Sequence, residues 1–246
     1  MNIKRIAERL GAIPFSKNLA MLAKIYRTDK GNGHHYIPHY DHHLKKYRSR
    51  KITLLEIGVG GYDTPHKGGK SLRMWRDYFP YAQVYSIDIH DKSAHEGDRI
   101  RILQGSQVDE NFLKKLLAET GPLDIIIDDG SHINEHVIKS FELLFPHLKD
   151  GGMYVVEDTQ TSYWPKFGGT SKDIQNSATM MNYFKHLTDS LNYKEFLIED
   201  YQPTYCDQHI IGMHFYHNLI FIEKGLNEEA SNIRQEDRGS LIKAEE

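Results

Sequence analysis

Five short apolar runs, separated by segments of helical length, constrain the fold of this chain more than any other feature of its sequence. Each run has the length of a β-strand, and most are rich in β-branched residues. Strands that alternate with helices imply right-handed βαβ units and a parallel sheet that is covered on both faces. The sequence therefore predicts an α/β, Rossmann-like fold. The five runs are Ile52–Ile57, Gln83–Asp88, Ile100–Leu103, Leu123–Ile127 and Met153–Val156.

Further elements complete this prediction. Apolar residues at helical spacing predict helices within residues 2–50. The stretch Ile210–Glu223 has no helix-length connection and carries His217 and Asn218 near its middle, so we expect an antiparallel hairpin at one edge of a mostly parallel, seven-stranded sheet. Between the strands we expect helices on both faces of the sheet, at Leu72–Tyr78, Glu110–Ala118 and Glu135–Leu148.

These elements divide the chain into three parts. We predict a helical cap in residues 1–50, a Rossmann-like domain in residues 51–225 and a charged tail in residues 226–246. A segment at about 160–205 is expected to be an insertion that shapes an acceptor site or a lid. Its aromatic stretch Tyr163–Gly169 fits either a lid or ordinary core packing.

Composition argues against several other classes of protein. The hydrophobic content of 39% and the charged content of 26% are those of an ordinary soluble globular protein. A formal net charge of -3 provides no basic field for nucleic acid. No apolar run approaches the roughly 20 residues that span a bilayer, and the amphipathic N-terminus lacks the apolar core of a signal peptide. The single cysteine, Cys206, fits a reducing compartment, so we expect a cytoplasmic protein, whether monomeric or homo-oligomeric.

Polar residues follow the predicted strands at the points where the strands end. In an open α/β sheet, ligands bind outside the carboxyl ends of the strands. Four of the five runs end in acidic residues, and a histidine joins the acids after the fourth run. This concentration predicts a functional site at that edge of the sheet. The residues are Glu56, Asp88, Gly105-Ser106-Gln107, Asp128-Asp129 with His132, and Glu157-Asp158.

The glycine turn after the first run favours a nucleoside cofactor over a dinucleotide. Gly58 and Gly60 let the backbone pass close to a ligand, but Asp63 stands where the third glycine of GxGxxG would be. Asp88 lies 32 residues after Glu56 (88 − 56), whereas a ribose-binding acid normally comes about 20 residues after the dinucleotide motif. No helix N-terminus follows the turn promptly, as a pyrophosphate would require. A cofactor with a ribose and no phosphate fits better.

The acids after the last two runs predict a metal site. Asp129, Glu157 and Asp158 would repel one another unless a cation joined them. Ligands that are all oxygens favour a hard cation, Mg²⁺ or else Mn²⁺ or Ca²⁺, over zinc. Two simpler interpretations stay open: Asp128 and Asp129 could cap the helix that follows them, and His132 could be an ordinary surface histidine.

Several of these motifs resemble one known family. The segments LLEIGVGG, SLRMWRDYFP, SIDIHDKS, GSQ, DIIIDDGSHINEH and VEDTQTSYWP resemble class I S-adenosylmethionine-dependent methyltransferases of the mycinamicin and macrocin type, which O-methylate deoxysugars of macrolide antibiotics. The resemblance runs from about Thr28 to Gly169. It implies a class I methyltransferase fold, S-adenosylmethionine as cofactor and Mg²⁺-assisted methylation of a sugar hydroxyl. The acceptor would be a glycosylated natural product, a nucleotide sugar or a surface glycan precursor.

The same resemblance implies roles for individual residues. Asp88 would hold the cofactor ribose, while Asp129, Glu157 and Asp158 would bind Mg²⁺. His132 would be the general base, with Asp129 as the second catalytic residue. The residues expected to line the cofactor pocket are Glu56, Gly58, Gly60, Ser71, Asp88, Ile89, Gly105, Gln107 and Asp128.

Three other functions remain open. A catechol or phenol O-methyltransferase would use the same metal chemistry on an aromatic diol. A non-catalytic cofactor-binding protein would have no need of a base such as His132. A dinucleotide-dependent oxidoreductase acting on a sugar would need the third glycine that this chain lacks.

A histidine-rich segment, His34–Lys46, is expected to form one helix after a turn at Thr28–Gly33. His35, His39 and His42 would then share a helical face. Because no cysteine or carboxylate signature completes a zinc site in this segment, we interpret it as a solvated or substrate-facing helix.

Overall fold

Seven strands form one sheet in the computed structural model, which describes residues 3–234, 237 and 241. The strands are β1 (Thr53–Ile57), β2 (Gln83–Asp88), β3 (Ile100–Gln104), β4 (Leu123–Asp128), β5 (Leu148–Glu157), β6 (Ile210–Tyr216) and β7 (Leu219–Lys224). Their order in the sheet is β3-β2-β1-β4-β5-β7-β6. The first five strands are parallel, and β7 lies antiparallel between β5 and β6. The predicted mostly parallel sheet with an antiparallel hairpin at one edge is confirmed.

Helices precede the sheet and connect its strands. The α-helices are α1 (Ile3–Ala12), α2 (Leu19–Tyr26), α3 (Asp29–Asn32), α4 (Ile37–Leu44), α5 (Lys70–Tyr78), α6 (Glu110–Thr120), α7 (Asn134–Leu144), α8 (Met180–His186) and α9 (Tyr205–His209). Short 3-10 helices lie at Ile13–Phe15, Lys45–Tyr47, Ser93–His95, Phe145–His147, Thr159–Tyr163, Pro165–Phe167 and Leu187–Glu195.

The central strands are mostly apolar because both faces of the sheet are covered. In β4, Ile125 and Ile127 join a core that contains Trp75 of α5. Ile126 points to the opposite face, into a core that contains Phe141 of α7. Side chains of a strand alternate between faces, so a run of consecutive isoleucines supplies two cores at once.

The N-terminal helices belong to the first of these cores. Leu22 of α2 and Tyr40 of α4 are buried with Trp75 and the strand residue Val155. The rings of Tyr40 and Trp75 meet edge to face, 5.0 Å apart between centroids. The cap therefore lies directly on the sheet, where α3 and α4 can reach the strand ends.

The histidine-rich segment departs from its prediction. α4 begins only at Ile37, because Pro38 favours the first turn of a helix, and His35 before it has a left-handed φ of 59°. A single helix starting at His34 is therefore wrong, and His35 does not share a helical face with His39 and His42. The predicted turn Thr28–Gly33 contains the one-turn helix α3.

Two other boundaries differ from the prediction. The helix expected to reach Leu148 ends at Leu144, and Leu148 instead opens β5. Pro146 explains the change, since proline has no N–H to continue the α-helical hydrogen bonds, and Phe145–His147 form a 3-10 turn instead. The fifth strand is consequently longer at its start than the predicted Met153–Val156.

The segment after β5 is irregular where an insertion was predicted. Residues 160–205 contain 3-10 turns and the short helix α8. Trp164 is 49% exposed and Tyr163 is 37% exposed, so core packing does not explain these rings. Residues 235, 236, 238–240 and 242–246 of the predicted charged tail lie outside the described residues. Within the described part of the chain, no helix has the length and apolar character needed to cross a membrane.

Candidate active site

The loops after β1 and β4 touch each other at the carboxyl end of the sheet. The Asp129 N–H donates to the carbonyl of Ile57 at 3.0 Å. Gly58 has a φ of 93°, and a Cβ there would lie 2.2 Å from the Asp129 carbonyl oxygen. Glycine is therefore required at this position both for its backbone angle and for the close approach of the two loops.

Asp88, at the end of β2, organises the loop expected to hold the cofactor. Its Oδ2 accepts a hydrogen bond from the Val59 N–H at 3.0 Å, and its Oδ1 accepts one from the His90 N–H at 2.9 Å. A carboxylate can accept about four hydrogen bonds, so Asp88 retains capacity for two ribose hydroxyls. Ile89 beside it is exposed, and the nearest neighbour of a Cβ at Gly60 would be 3.9 Å away. These residues fit a nucleoside cofactor.

Lys30, in α3, lies at the centre of the acidic residues. Its buried Nζ is 2.5 Å from Glu157 Oε1, 2.6 Å from Asp129 Oδ2 and 3.2 Å from Glu56 Oε1. Burial by itself would lower the pKa of Lys30, but the three carboxylates outweigh it and hold this pKa well above its usual value. The lysine therefore stays charged and neutralises part of the cluster.

The acids around Lys30 are strongly perturbed. Burial raises the pKa of Glu56 to about 7, against the opposing effect of Lys30. The Glu56 oxygens have no hydrogen bond of good geometry among the described residues. Burial, reinforced by Asp129, also raises the pKa of Glu157, whose Oε1 accepts a hydrogen bond from the Tyr40 hydroxyl. An incompletely satisfied carboxylate beside two others is a donor set that suits an additional cation.

His132 and Asp158 face each other on the outer side of this cluster. The His132 Nε2 lies 3.6 Å from Asp158 Oδ2 and 3.9 Å from Asp129 Oδ1. Asp158 Oδ1 accepts a hydrogen bond from the Tyr36 hydroxyl at 2.8 Å and lies 3.2 Å from His34 Nδ1. Both His132 and Asp158 have a φ of 55°, a left-handed conformation that is uncommon outside glycine. Such strained backbone is often found at functional sites.

Asp129 is the junction of two possible metal-binding groups. Its carboxylate lies within 4.8 Å of ligand atoms of His132 and Asp158 on one side, and of Glu56 and Glu157 on the other. Of the predicted triplet, Asp129 therefore shares one group with Asp158 and the other with Glu157, and the three acids do not form a single group of their own. Lys30 Nζ stands between two of its members.

Asp128 and Gln107 are already engaged with each other beneath the loop. The Gln107 Nε2 is 3.3 Å from both Asp128 oxygens, and its Oε1 accepts a hydrogen bond from the Ser131 N–H at 2.9 Å. The Ser140 hydroxyl donates to Asp128 at 2.6 Å, and burial raises the pKa of Asp128 to about 6. This network braces the loop that carries Asp129 and His132.

The remaining predicted cofactor residues are Gly105 and Ser71. A Cβ at Gly105 would lie 2.4 Å from the ring of Phe112, so this glycine lets β3 pack closely on α6. Ser71 lies in the first turn of α5, which no side chain caps.

Sequence reasoning missed the contribution of the cap to this site. Lys30, His34, Tyr36 and Tyr40 all contact acids that follow β4 or end β5, across separations of 99 to 127 residues. The one signal for Lys30 in the sequence was electrostatic. Several clustered acids require a cation, and Lys30 precedes the sheet in a glycine-flanked turn.

Comparison with known proteins places this geometry in a family. Residues 55–159, which contain β1 to β5 and the acids at their ends, match a family model described as a methyltransferase domain. Residues 55–159 thus belong to the methyltransferase-domain family. The chain is 49% identical over 222 residues to demethylmacrocin O-methyltransferase of Streptomyces fradiae, an alignment that covers 89% of the chain and 56% of that relative.

Other relatives agree. The chain is 48% identical to mycinamicin VI 2''-O-methyltransferase of Micromonospora griseorubida, covering 86% of itself and 54% of that protein. It thus spans about half the length of these curated relatives. The solved MycE methyltransferase of the mycinamycin biosynthetic pathway, in complex with Mg, SAH and mycinamycin VI, matches with a TM-score of 0.85 and 46% identity, over 93% of this chain and 59% of MycE. The predicted resemblance to the mycinamicin and macrocin type and the class I methyltransferase fold are confirmed.

Proposed function

We propose that this protein is an S-adenosylmethionine-dependent O-methyltransferase that methylates a sugar hydroxyl of a glycosylated small molecule, assisted by Mg²⁺. The observation that carries the proposal is the cluster of Asp129, His132, Glu157 and Asp158 at the sheet edge that also presents Asp88. Support comes from relatives named as sugar O-methyltransferases and from the Mg and SAH in the MycE complex.

The cofactor would lie along the loops after β1, β2 and β3. Asp88 has free acceptor capacity for the ribose hydroxyls, while Gly58 and Gly60 allow the backbone to approach the ligand. Glu56, Ser71, Ile89 and Gly105 would complete the pocket. Asp128 and Gln107 would act mainly by bracing the adjoining loop, since their polar atoms are already paired.

Asp129, Glu157 and Asp158 would hold the metal ion, in keeping with their all-oxygen donor set. Bound Mg²⁺ would supply Lewis acidity that lowers the pKa of the acceptor hydroxyl. Lys30 opposes the effect of burial on the pKa of Glu56 and of Glu157, and so favours the ionised carboxylates that an oxygen-ligand site requires. Tyr36 and Tyr40 orient Asp158 and Glu157 by donating to one oxygen of each carboxylate.

His132 would be the general base. Its Nε2 takes the proton of the acceptor hydroxyl, and Asp158, 3.6 Å away, stabilises the imidazolium that results. The acceptor oxygen forms a bond to the methyl carbon while the bond from that carbon to the sulfonium sulfur breaks. The sulfur keeps the electron pair and becomes a neutral thioether, so charge and atoms balance.

The exposed aromatic segment after β5 would receive the acceptor. Thr161 donates its hydroxyl hydrogen to the His132 carbonyl at 2.8 Å, which joins this segment to the base. Tyr163 and Trp164 follow within three residues and expose their rings. Large amphipathic rings at such a position suit the apolar face of a sugar.

The decisive experiment is transfer of a radiolabelled methyl group from S-adenosylmethionine to a panel of glycosylated macrolides, nucleotide sugars and catechols, with and without EDTA. We expect labelled sugar products, loss of transfer in EDTA and recovery with Mg²⁺. Asp129→Asn should raise the Mg²⁺ concentration required, whereas Asp150→Asn, on the exposed start of β5, should not. Transfer to catechols alone would overturn the sugar assignment, and full activity in EDTA would overturn the metal assignment. Calorimetric binding of NAD without S-adenosylmethionine binding would overturn the methyltransferase itself.

A further inference from the structure

A second cluster of metal-ligating side chains lies away from the proposed active site. His43 belongs to α4, His214 to β6 and Glu223 to β7, and one ligand atom from each lies within 4.8 Å of the other two. Glu223 pairs with Met153 in the sheet. Because Glu157 comes four residues later on β5, the two clusters are separated by roughly 13 Å along the strand, at about 3.3 Å per residue.

The geometry of this cluster is close to that of a tetrahedral metal site. The His214 Nε2 lies 3.1 Å from Glu223 Oε1. Two ligands at about 2.0–2.1 Å from a tetrahedral zinc ion are roughly 3.3 Å apart, so this pair already has the required spacing. The widest separation between ligand atoms of these side chains, up to 4.8 Å, has to shorten when an ion binds. The side chain of His214 is 40% exposed and has room to rotate towards His43.

The donor types favour a transition metal over Mg²⁺. Two imidazoles and one carboxylate form a recurrent zinc ligand set, which leaves a fourth position for water. The Tyr216 hydroxyl hydrogen-bonds His43 Nε2 at 2.9 Å, and this bond has to break if that nitrogen coordinates the ion. The ring of His43 is also only 4.5 Å from that of His214, between centroids.

The neighbouring lysine, Lys46, does not prevent a metal ion from binding to the three side chains. Lys46 Nζ lies 3.3 Å from Glu223 Oε2, and its side chain is 48% exposed. It therefore uses the carboxylate oxygen that does not face His214. An exposed pair of this kind contributes little stability, so the lysine can move into solvent when a dication binds.

We propose that His43, His214 and Glu223 bind one divalent transition-metal ion of the zinc class, which fastens α4 to the β6–β7 hairpin. The fastening reaches the active site through Tyr40, one turn earlier on α4, which donates to Glu157. Local sequence could not reveal the site, because the carboxylate lies 180 residues after His43 (223 − 43). The interpretation of the histidine-rich segment as solvated is wrong for His43, which is 5% exposed.

The test is equilibrium dialysis of the metal-stripped protein against Zn²⁺ in the presence of excess Mg²⁺, which competes for oxygen sites but poorly for imidazoles. We expect one equivalent of tightly held Zn²⁺. His214→Ala and Glu223→Gln should each weaken Zn²⁺ binding by more than about 100-fold, since changes to outer partners alone cost 10–100-fold. His217→Ala, an exposed histidine at the hairpin turn, is the matched control and should bind as the native protein does.

Two further measurements make the result specific. Asp158→Asn should retain the Zn²⁺ equivalent, because it alters only the proposed active site. Zn²⁺ should raise the melting temperature of the native protein and of His217→Ala, but not that of natively folded His214→Ala, as judged by circular dichroism. The proposal is overturned if the native protein binds no Zn²⁺ under these conditions, or if His214→Ala and Glu223→Gln bind as tightly as His217→Ala. Neither outcome depends on methyl transfer.

Discussion

At the residue scale, one ammonium group offsets much of the charge that the strand ends bring together. Lys30 lies within 3.2 Å of an oxygen of each of Glu56, Asp129 and Glu157. Removing one partner of a buried ion pair leaves an uncompensated buried charge, which is far more costly than losing an exposed pair. Without bound metal, Lys30 therefore makes the acidic cluster compatible with folding.

Lys30→Met should destabilise the metal-free protein by about 3–5 kcal/mol. Added Mg²⁺ should recover part of this loss and should bind more tightly than to the native protein, because the competing positive charge is gone. Urea unfolding with and without Mg²⁺ measures both effects. The control is Lys114→Met, which breaks an exposed i,i+4 pair with Glu110 and should cost less than about 1 kcal/mol. Equal stability of Lys30→Met and the native protein without metal would contradict this account.

His132→Ala should lower turnover by about 10² to 10⁴ while leaving cofactor affinity nearly unchanged. The reason is that its Nε2 faces Asp158 and Asp129 on the open side of the site, whereas Asp88 organises the cofactor loop separately. Single-turnover methyl transfer and calorimetry measure the two quantities, with the exposed His147→Ala as control. A variant with near-native turnover would show that another group removes the proton.

At the scale of elements, the contact between the β1 and β4 loops joins the proposed cofactor site to the proposed metal site. Gly58→Ala should disrupt this contact, since its Cβ would lie 2.2 Å from the Asp129 carbonyl oxygen. Gly121 also has a positive φ, of 64°, but a Cβ added there would meet no atom within 4 Å. Gly58→Ala should therefore be less stable than Gly121→Ala by about 1–3 kcal/mol, the usual cost of overpacking, and should bind Mg²⁺ more weakly. Similar unfolding midpoints for the two variants would contradict the close approach.

Some elements and site residues could be predicted from the sequence, and others could not. The buried parallel strands are visible because each must be apolar on both faces, and the acids at Asp88, Asp129 and Glu157 follow directly from where those runs end. The contacts of Lys30 and Tyr40 could not be predicted, although the clustered acids implied some counter-ion, since these contacts depend on how the cap packs across the sheet. The start of α4 was misplaced because helical spacing says nothing about the left-handed His35 that precedes it.

At the scale of the whole molecule, His95, on the loop that precedes β3, joins the N-terminal helix to the loop that follows β1. Its Nε2 lies 3.0 Å from the Pro65 carbonyl, and its Nδ1 lies 3.1 Å from the Arg5 guanidinium. Both contacts are satisfied by a neutral ring that donates from Nε2 and accepts at Nδ1. Burial, and then the charge of Arg5, lower the pKa of His95 to about 4.

This lowered pKa predicts acid sensitivity. The unfolded chain protonates His95 near pH 6.5, whereas the folded protein resists protonation down to about pH 4. The stability contributed by the neutral ring is therefore complete above pH 6.5 and is lost as the pH falls towards 4, by at most about 3 kcal/mol. Urea unfolding across this range should be less pH-dependent for His95→Gln than for the native protein, while the exposed control His217→Gln should follow the native curve. Parallel curves for His95→Gln and the native protein would refute the assignment.

Lys30 precedes the sheet in the chain, and this position matters when the protein is truncated or its site is grafted onto another protein. A fragment that begins at residue 51 would keep all seven strands and every acid at their ends. It would also leave the buried carboxylates of Glu56 and Glu157 without the Lys30 ammonium group that pairs with them. These carboxyls would then favour the protonated form, or the carboxyl end of the sheet would open to solvent. Transfer of the strand-end acids to another protein therefore depends on a stretch of chain that contains none of them. A functional graft has to carry the first fifty residues along.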